Sequence, residues 1–84
     1  MSKYNIYSVK DVKMGFMTPI YQKNDAVAVR DLSNVVNDKT NKTFISENYE
    51  DVELYKLGEF DEETGEIIPE VKFIIAARDC KKGE

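Results

Sequence analysis

The sequence predicts an α+β fold ordered β-β-α-β-β, with one helix packed on one face of an antiparallel sheet. Three observations carry this. Runs of β-branched and aromatic residues, broken by polar or glycine-containing turns, lie on both sides of one segment with apolar residues spaced at three and four. Two hairpin-like pairs flanking a single helix suit a sheet with the helix laid across it. The length, 84 residues, suits one domain, 1–84, and is too short for two.

Residues 3–9, Lys-Tyr-Asn-Ile-Tyr-Ser-Val, have the composition of a first strand. Lys10 to Lys13 and Gly15 form a turn, and residues 15–22 a second strand antiparallel to the first. Pro19 cannot donate to a ladder, so it places this strand at an edge or marks a bulge. Asn24 is a good N-cap, Asp25 suits the positive helix end, and Ala28, Val29, Leu32, Val35 and Val36 line one face of a helix over 25–36. A polar run from Asn37 to Lys42 stops it, and Ser46 to Tyr49 reads as a turn with Ser46 as local cap. Residues 51–60 predict a third strand whose alternation slips between Leu54 and Tyr55, which suggests a bulge near Gly58. Asp61 to Glu66 is an acidic hairpin loop with Gly65 suited to a left-handed position. Ile67 to Ile75 is the fourth strand, partly an edge because of Pro69, and the tail, 80–84, is expected to fray.

The chain has one cysteine and no histidine. Internal disulfides and the common zinc sites are thereby excluded, which leaves oligomerisation, a dimer above all, to supplement a small core. Without histidine, Ser-His-Asp and Cys-His catalysis cannot be assembled, and no phosphate-cradling glycine loop is present, so neither enzymatic activity nor a cofactor is expected. Cys80 reads as an unpaired thiol whose pKa Lys81 and Lys82 could lower. Glu59, Asp61, Glu62, Glu63 and Glu66 do not have EF-hand spacing and read as a solvated acidic loop rather than a metal site. No apolar run is long enough for a membrane span, and the first ten residues lack a signal-peptide core, so a reducing cytoplasm is expected.

The net charge of −4 disfavours simple electrostatic binding of nucleic acid. It is unevenly divided: residues 1–46 carry seven Lys/Arg and four Asp/Glu, whereas residues 47–84 carry five and twelve. Either the two halves interleave in space, or a basic face stands beside an acidic one. In the first half Lys3, Lys10, Lys13 and Lys23 surround Tyr4, Tyr7, Phe16 and Tyr21, a pattern suited to stacking single-stranded bases and following phosphates. Alternation puts Lys3, Asn5 and Tyr7 on one face and Tyr4, Ile6 and Ser8 on the other. Ile6 marks the second set as core, so Lys3, Asn5 and Tyr7 are expected outward beside Tyr21 and Lys23. Arg30 extends the stripe or pairs with Asp31. Apolar residues on both faces of the first and third strands admit another reading, a dimer interface.

Tyr7-Ser8-Val9 with Asp11 and Lys13, Pro19-Ile20, Asn24 to Arg30, Tyr49, Leu54 to Asp61, Thr64-Gly65 and Pro69 together resemble the small non-structural protein of gokushovirus-type microviruses, bacteriophages with single-stranded DNA genomes. The likeness covers about residues 4–70 and departs from the family at Ser46 to Asn48 and after Phe73. It implies an early, non-virion, DNA-binding protein in the cytoplasm of the bacterial host, helping replication shift to single strands for packaging. Partners would be single-stranded DNA, a second copy and the phage replication initiator. It brings no binding residues with it. The competing reading is an interaction module whose acidic half docks a basic partner without touching DNA.

Overall fold

β1 (Lys3–Asp11) is the strand around which the sheet is built. The computed structural model describes residues 3–82. β2 (Gly15–Phe16) and β3 (Ile20–Gln22) both pair antiparallel with β1. The chain then forms α1 (Asp25–Val36), the single-turn α2 (Phe44–Glu47), β4 (Val52–Asp61) and β5 (Ile67–Ala76). β4 pairs antiparallel with β1 and β5, so the order is β2-β1-β4-β5 with β3 on β1, five strands among the described residues. The α+β class and the β-β-α-β-β succession hold, with the second predicted strand divided in two. Met17 N–H still reaches the Val9 carbonyl (2.8 Å), and the Ser8 hydroxyl donates to the Met17 carbonyl (2.6 Å). Pro19 then supplies no donor, and pairing resumes at Ile20.

The helix has the predicted bounds. The Asn24 side chain accepts from Val27 N–H at 2.9 Å, capping one of the free amides of the first turn. α2 replaces the predicted turn, and its cap is Thr43: Ser46 N–H donates to the Thr43 hydroxyl and Thr43 N–H to the Ser46 hydroxyl. Ser46 is therefore the reciprocal partner in a capping box and does not occupy the cap position.

The bulge expected near Gly58 is present, although Leu54 and Tyr55 stay in register with Val9 and Ser8 of β1. Ile6 pairs with Gly58 but Tyr7 with Lys56, so Leu57 is the extra residue and reverses the alternation there. Glycine is required beside it, because a Cβ on Gly58 would lie 2.3 Å from the Ile68 carbonyl oxygen of β5. In the hairpin, Asp61 accepts from Glu63 N–H (2.9 Å), and Gly65 takes φ +81° and donates to the Asp61 carbonyl (2.8 Å).

The core lies at one end of the sheet. Ala28, Leu32 and Val36 of α1 meet Tyr7, Val52, Leu54, Ala77 and Cys80, with Val9, Val29, Ile45, Tyr49, Ile74 and Ile75 packed around them. Ala77–Cys80 is a 3₁₀ turn, and the Asn37 side chain donates to the Cys80 carbonyl (2.9 Å) while its oxygen accepts from Lys82 N–H (2.9 Å). Cys80 is thus core, not part of a frayed tail; residues 83 and 84 of that tail lie outside the described residues. Burial and the adjacent Asp79 raise the Cys80 pKa, opposite to the lowering expected from the lysines. The molecule measures 45 × 24 × 18 Å, and every β5 residue from Ile67 to Phe73 is exposed, so the hairpin projects beyond the helix cover.

Candidate functional site

Directly opposed residues of antiparallel strands share a face, and alternate residues take opposite faces. Lys3, Asn5, Tyr7, Val9 and Asp11 of β1 accordingly belong to the helix side, and Tyr4, Ile6, Ser8 and Lys10 to the open side. This reverses the predicted polarity. Tyr7 is fully buried; its hydroxyl donates to the Asp25 carboxylate at the start of α1 and accepts from the Asn5 amide (2.9 Å). Burial and the bond to Asp25 push its pKa up to about 12. Asn5 is therefore a positioning partner of a core tyrosine, and neither residue forms part of an outward platform. Ile6 is half-buried and lines an open-side groove instead of the core.

The open side carries the aromatics. On β4, Phe60 lies opposite Tyr4 and Tyr55 opposite Ser8; on β5, Ile67 lies opposite Phe60 and Phe73 opposite Tyr55. Phe16 lies opposite Lys10, and Tyr21 opposite Ile6. Two groups of rings result. Phe16, Tyr55 and Phe73 make successive edge contacts with centroids 5.4 and 5.6 Å apart, running across the sheet from β2 to β5. The Lys10 ammonium sits over this row, 5.5 Å from the Phe16 centroid and 5.7 Å from that of Tyr55. Tyr4 and Tyr21 form the second group, with centroids 5.2 Å apart, at a groove shared with Ile6, Pro19, Ile20, Phe60 and Glu62. Glu62 raises the Tyr4 pKa by its charge and a hydrogen bond. Glu53 accepts from the Tyr55 hydroxyl (3.2 Å); burial and this carboxylate raise the Tyr55 pKa.

Phe16 (48% exposed), Tyr21 (68%), Ile67 (63%), Val71 (66%) and Phe73 (50%) leave this side far more apolar than a solvent-facing sheet requires. With aromatic side chains offering about 150–250 Å² each, the exposed apolar area is on the order of 500 Å², near the top of the range for a monomer.

The predicted basic residues divide. Lys10 is at the centre of the aromatic row, and exposed Tyr21 stands where it was expected, although with Tyr4 and not with Tyr7. Lys3 pairs with Glu59 (3.9 Å) and Lys13 with Asp51 (3.5 Å), so here the basic and acidic halves interleave. Lys23 is exposed in the turn before α1, and Arg30 is exposed on the helix, on the side of the sheet away from the rings. Arg30 and Asp31 form no pair; Asp31 accepts from the Gln22 side chain. Tyr55 and Phe73 were absent from the predicted set. For Phe73 the signal was the period-two row Ile67, Pro69, Val71, Phe73, with charged Glu70 and Lys72 between its last members.

Fold and surface together define a small α+β protein whose helices cover one side of an antiparallel sheet and leave an aromatic side open. Among the described residues no helix is long and apolar enough to cross a membrane. The family model described as Phage ORF5 protein matches residues 4–80, and the chain belongs to that bacteriophage family. No curated protein and no solved structure matches it.

Proposed function

We propose that this is a non-enzymatic phage protein that binds single-stranded DNA by stacking bases on the open side of the sheet. The observation that carries the reading is the row Phe16–Tyr55–Phe73, with the Lys10 ammonium held over it. Unpaired bases can lie on such rings whatever their identity, and a central cation can meet a phosphate between them. Duplex bases cannot reach the rings. In the host cytoplasm the protein would act in phage DNA replication, favouring single-strand synthesis and packaging, alone or with the replication initiator. This agrees with the microvirus resemblance of the sequence.

The charge refines the mechanism. Glu53 and Glu62 border the rings, and the chain carries −4 overall, so stacking has to supply most of the affinity. Single-strand binding loses about 0.7 in log–log salt slope per phosphate contact. With Lys10 the main phosphate ligand, a slope between about −0.7 and −2 is expected, shallower than for a basic groove. Fluorescence anisotropy of a labelled single-stranded oligonucleotide, at low and physiological salt with a duplex control, tests this. Saturable single-strand binding, weakened about 5- to 150-fold by Phe73→Ala, is expected from stacking worth about 1–3 kcal/mol per base. No single-strand binding at low salt, or equal affinity for duplex, would overturn the reading.

The acidic hairpin loop, Asp61 to Glu66, favours a second reading: docking of a basic protein without DNA contact. That reading gains if the DNA titration is flat.

A further inference from the structure

β5 is the outer strand of the sheet, ten residues long, with β4 as its strand partner. Its other edge offers backbone donors and acceptors to any extended chain. Ile67, Ile68, Val71 and Phe73 are 44–66% exposed along it. Glu70 and Lys72 are exposed between them, and neither has an ion-pair partner among the described residues.

We propose that this edge pairs antiparallel with β5 of a second copy about a two-fold axis at Val71. The charges choose both the occupant and the register. Centred on Val71, the pairing sets Glu70 opposite the partner's Lys72, and Lys72 opposite the partner's Glu70. Centring on Lys72 brings two ammoniums together, centring on Glu70 brings two carboxylates together, and centring on Phe73 leaves both charges opposite apolar residues. One strand that complements itself in one register is the property an isologous dimer needs. The stretch ends at Pro69, which supplies no N–H, and at Ile74, which is skipped in the pairing of β5 with β4; between them Glu70 and Val71 together lie against the single β4 residue Leu57. The opposite edge is unsuited to a second such contact, because β2 and β3 have two and three residues and are separated at Pro19.

A two-fold axis that pairs antiparallel strands in one sheet stands perpendicular to it. Both open sides then face the same way, with Val71 and Phe73 of each copy at the seam. The association stands without the DNA reading; only its consequence, one aromatic platform of doubled width, rests on that reading.

Sedimentation velocity of the full chain without DNA tests the association. The wild type is expected to sediment as a dimer. Glu70→Lys and Lys72→Glu each place like charges across both contacts and should weaken the dimer about tenfold or more. An equimolar mixture of the two variants restores both opposite-charge contacts and should dimerise again, which also shows that each variant is folded. A monomeric wild type at every concentration, or dimers of both single variants as tight as wild type, would overturn the proposal. Because this readout contains no DNA and the anisotropy reads DNA alone, either reading can fail without the other.

Discussion

Tyr7 and Tyr55 are the same residue on neighbouring strands of one sheet, and they differ in what covers them. Tyr7 lies under α1, with no exposed surface and a hydroxyl shared between Asp25 and Asn5. Tyr55 lies on the side without a helix, half-buried between Phe16 and Phe73. The covered side uses its apolar groups for stability, whereas the open side keeps its rings available at their faces. Their distribution between strands is similar, so the helix alone separates a core from a surface that can bind.

The contrast is broken most severely from the covered side. Leu32→Ala removes a 5%-exposed side chain from the centre of the core and should destabilise the fold by about 2–5 kcal/mol in urea unfolding. Gly58→Ala comes next, at about 1–3 kcal/mol, because its methyl group meets the β5 backbone at 2.3 Å; a shifted β4–β5 register would show as changed amide exchange in the hairpin. Tyr7→Phe leaves Asp25 and Asn5 without their shared hydroxyl and should lower stability by about 1–2 kcal/mol. It carries a pH signature as well. The folded-state pKa of Tyr7 is raised to about 12 from 10.0, so its contribution is full below pH 10 and is lost as pH rises toward 12. Tyr4 and Tyr55 are raised too and add loss in the same direction, so the signature is the part of the alkaline decline that Tyr7→Phe removes. Phe73→Ala should change stability least, within about 1 kcal/mol, since half of the side chain is in solvent, while costing the most single-strand affinity of the four. If Phe73→Ala instead destabilised the fold as much as Leu32→Ala, the open side would be structural and the contrast would collapse.

Much of this architecture was legible in the residues. Asn24 and the three-four spacing marked α1 to its ends, and Gly58 beside a broken alternation located the bulge. The side on which α1 settles was not legible. Tyr4-Ile6-Ser8 and Asn5-Tyr7-Val9 are both mixed sets with one aromatic each, and alternation says which residues travel together without saying which set is covered. Val9 and Asp25 held the answer, but only the chain path brings Asp25 to the Tyr7 hydroxyl, eighteen residues away in sequence. Thr43, three residues before Ser46, made the capping box readable, whereas the polar Cys80-Lys81-Lys82 tail concealed a turn that α1 and Asn37 hold in place.

By itself, the sequence determined α1 and the strands β1, β4 and β5, the bulge, the edge character of Pro19 and Pro69, and the lack of histidine chemistry, because these follow from local backbone preference and composition. Only the tertiary structure decided which tyrosines became core, that Cys80 is buried, and that Phe16, Tyr55 and Phe73 form one row under Lys10. Those outcomes depend on which face the helix covers and on register between strands more than thirty residues apart, and no local propensity encodes either.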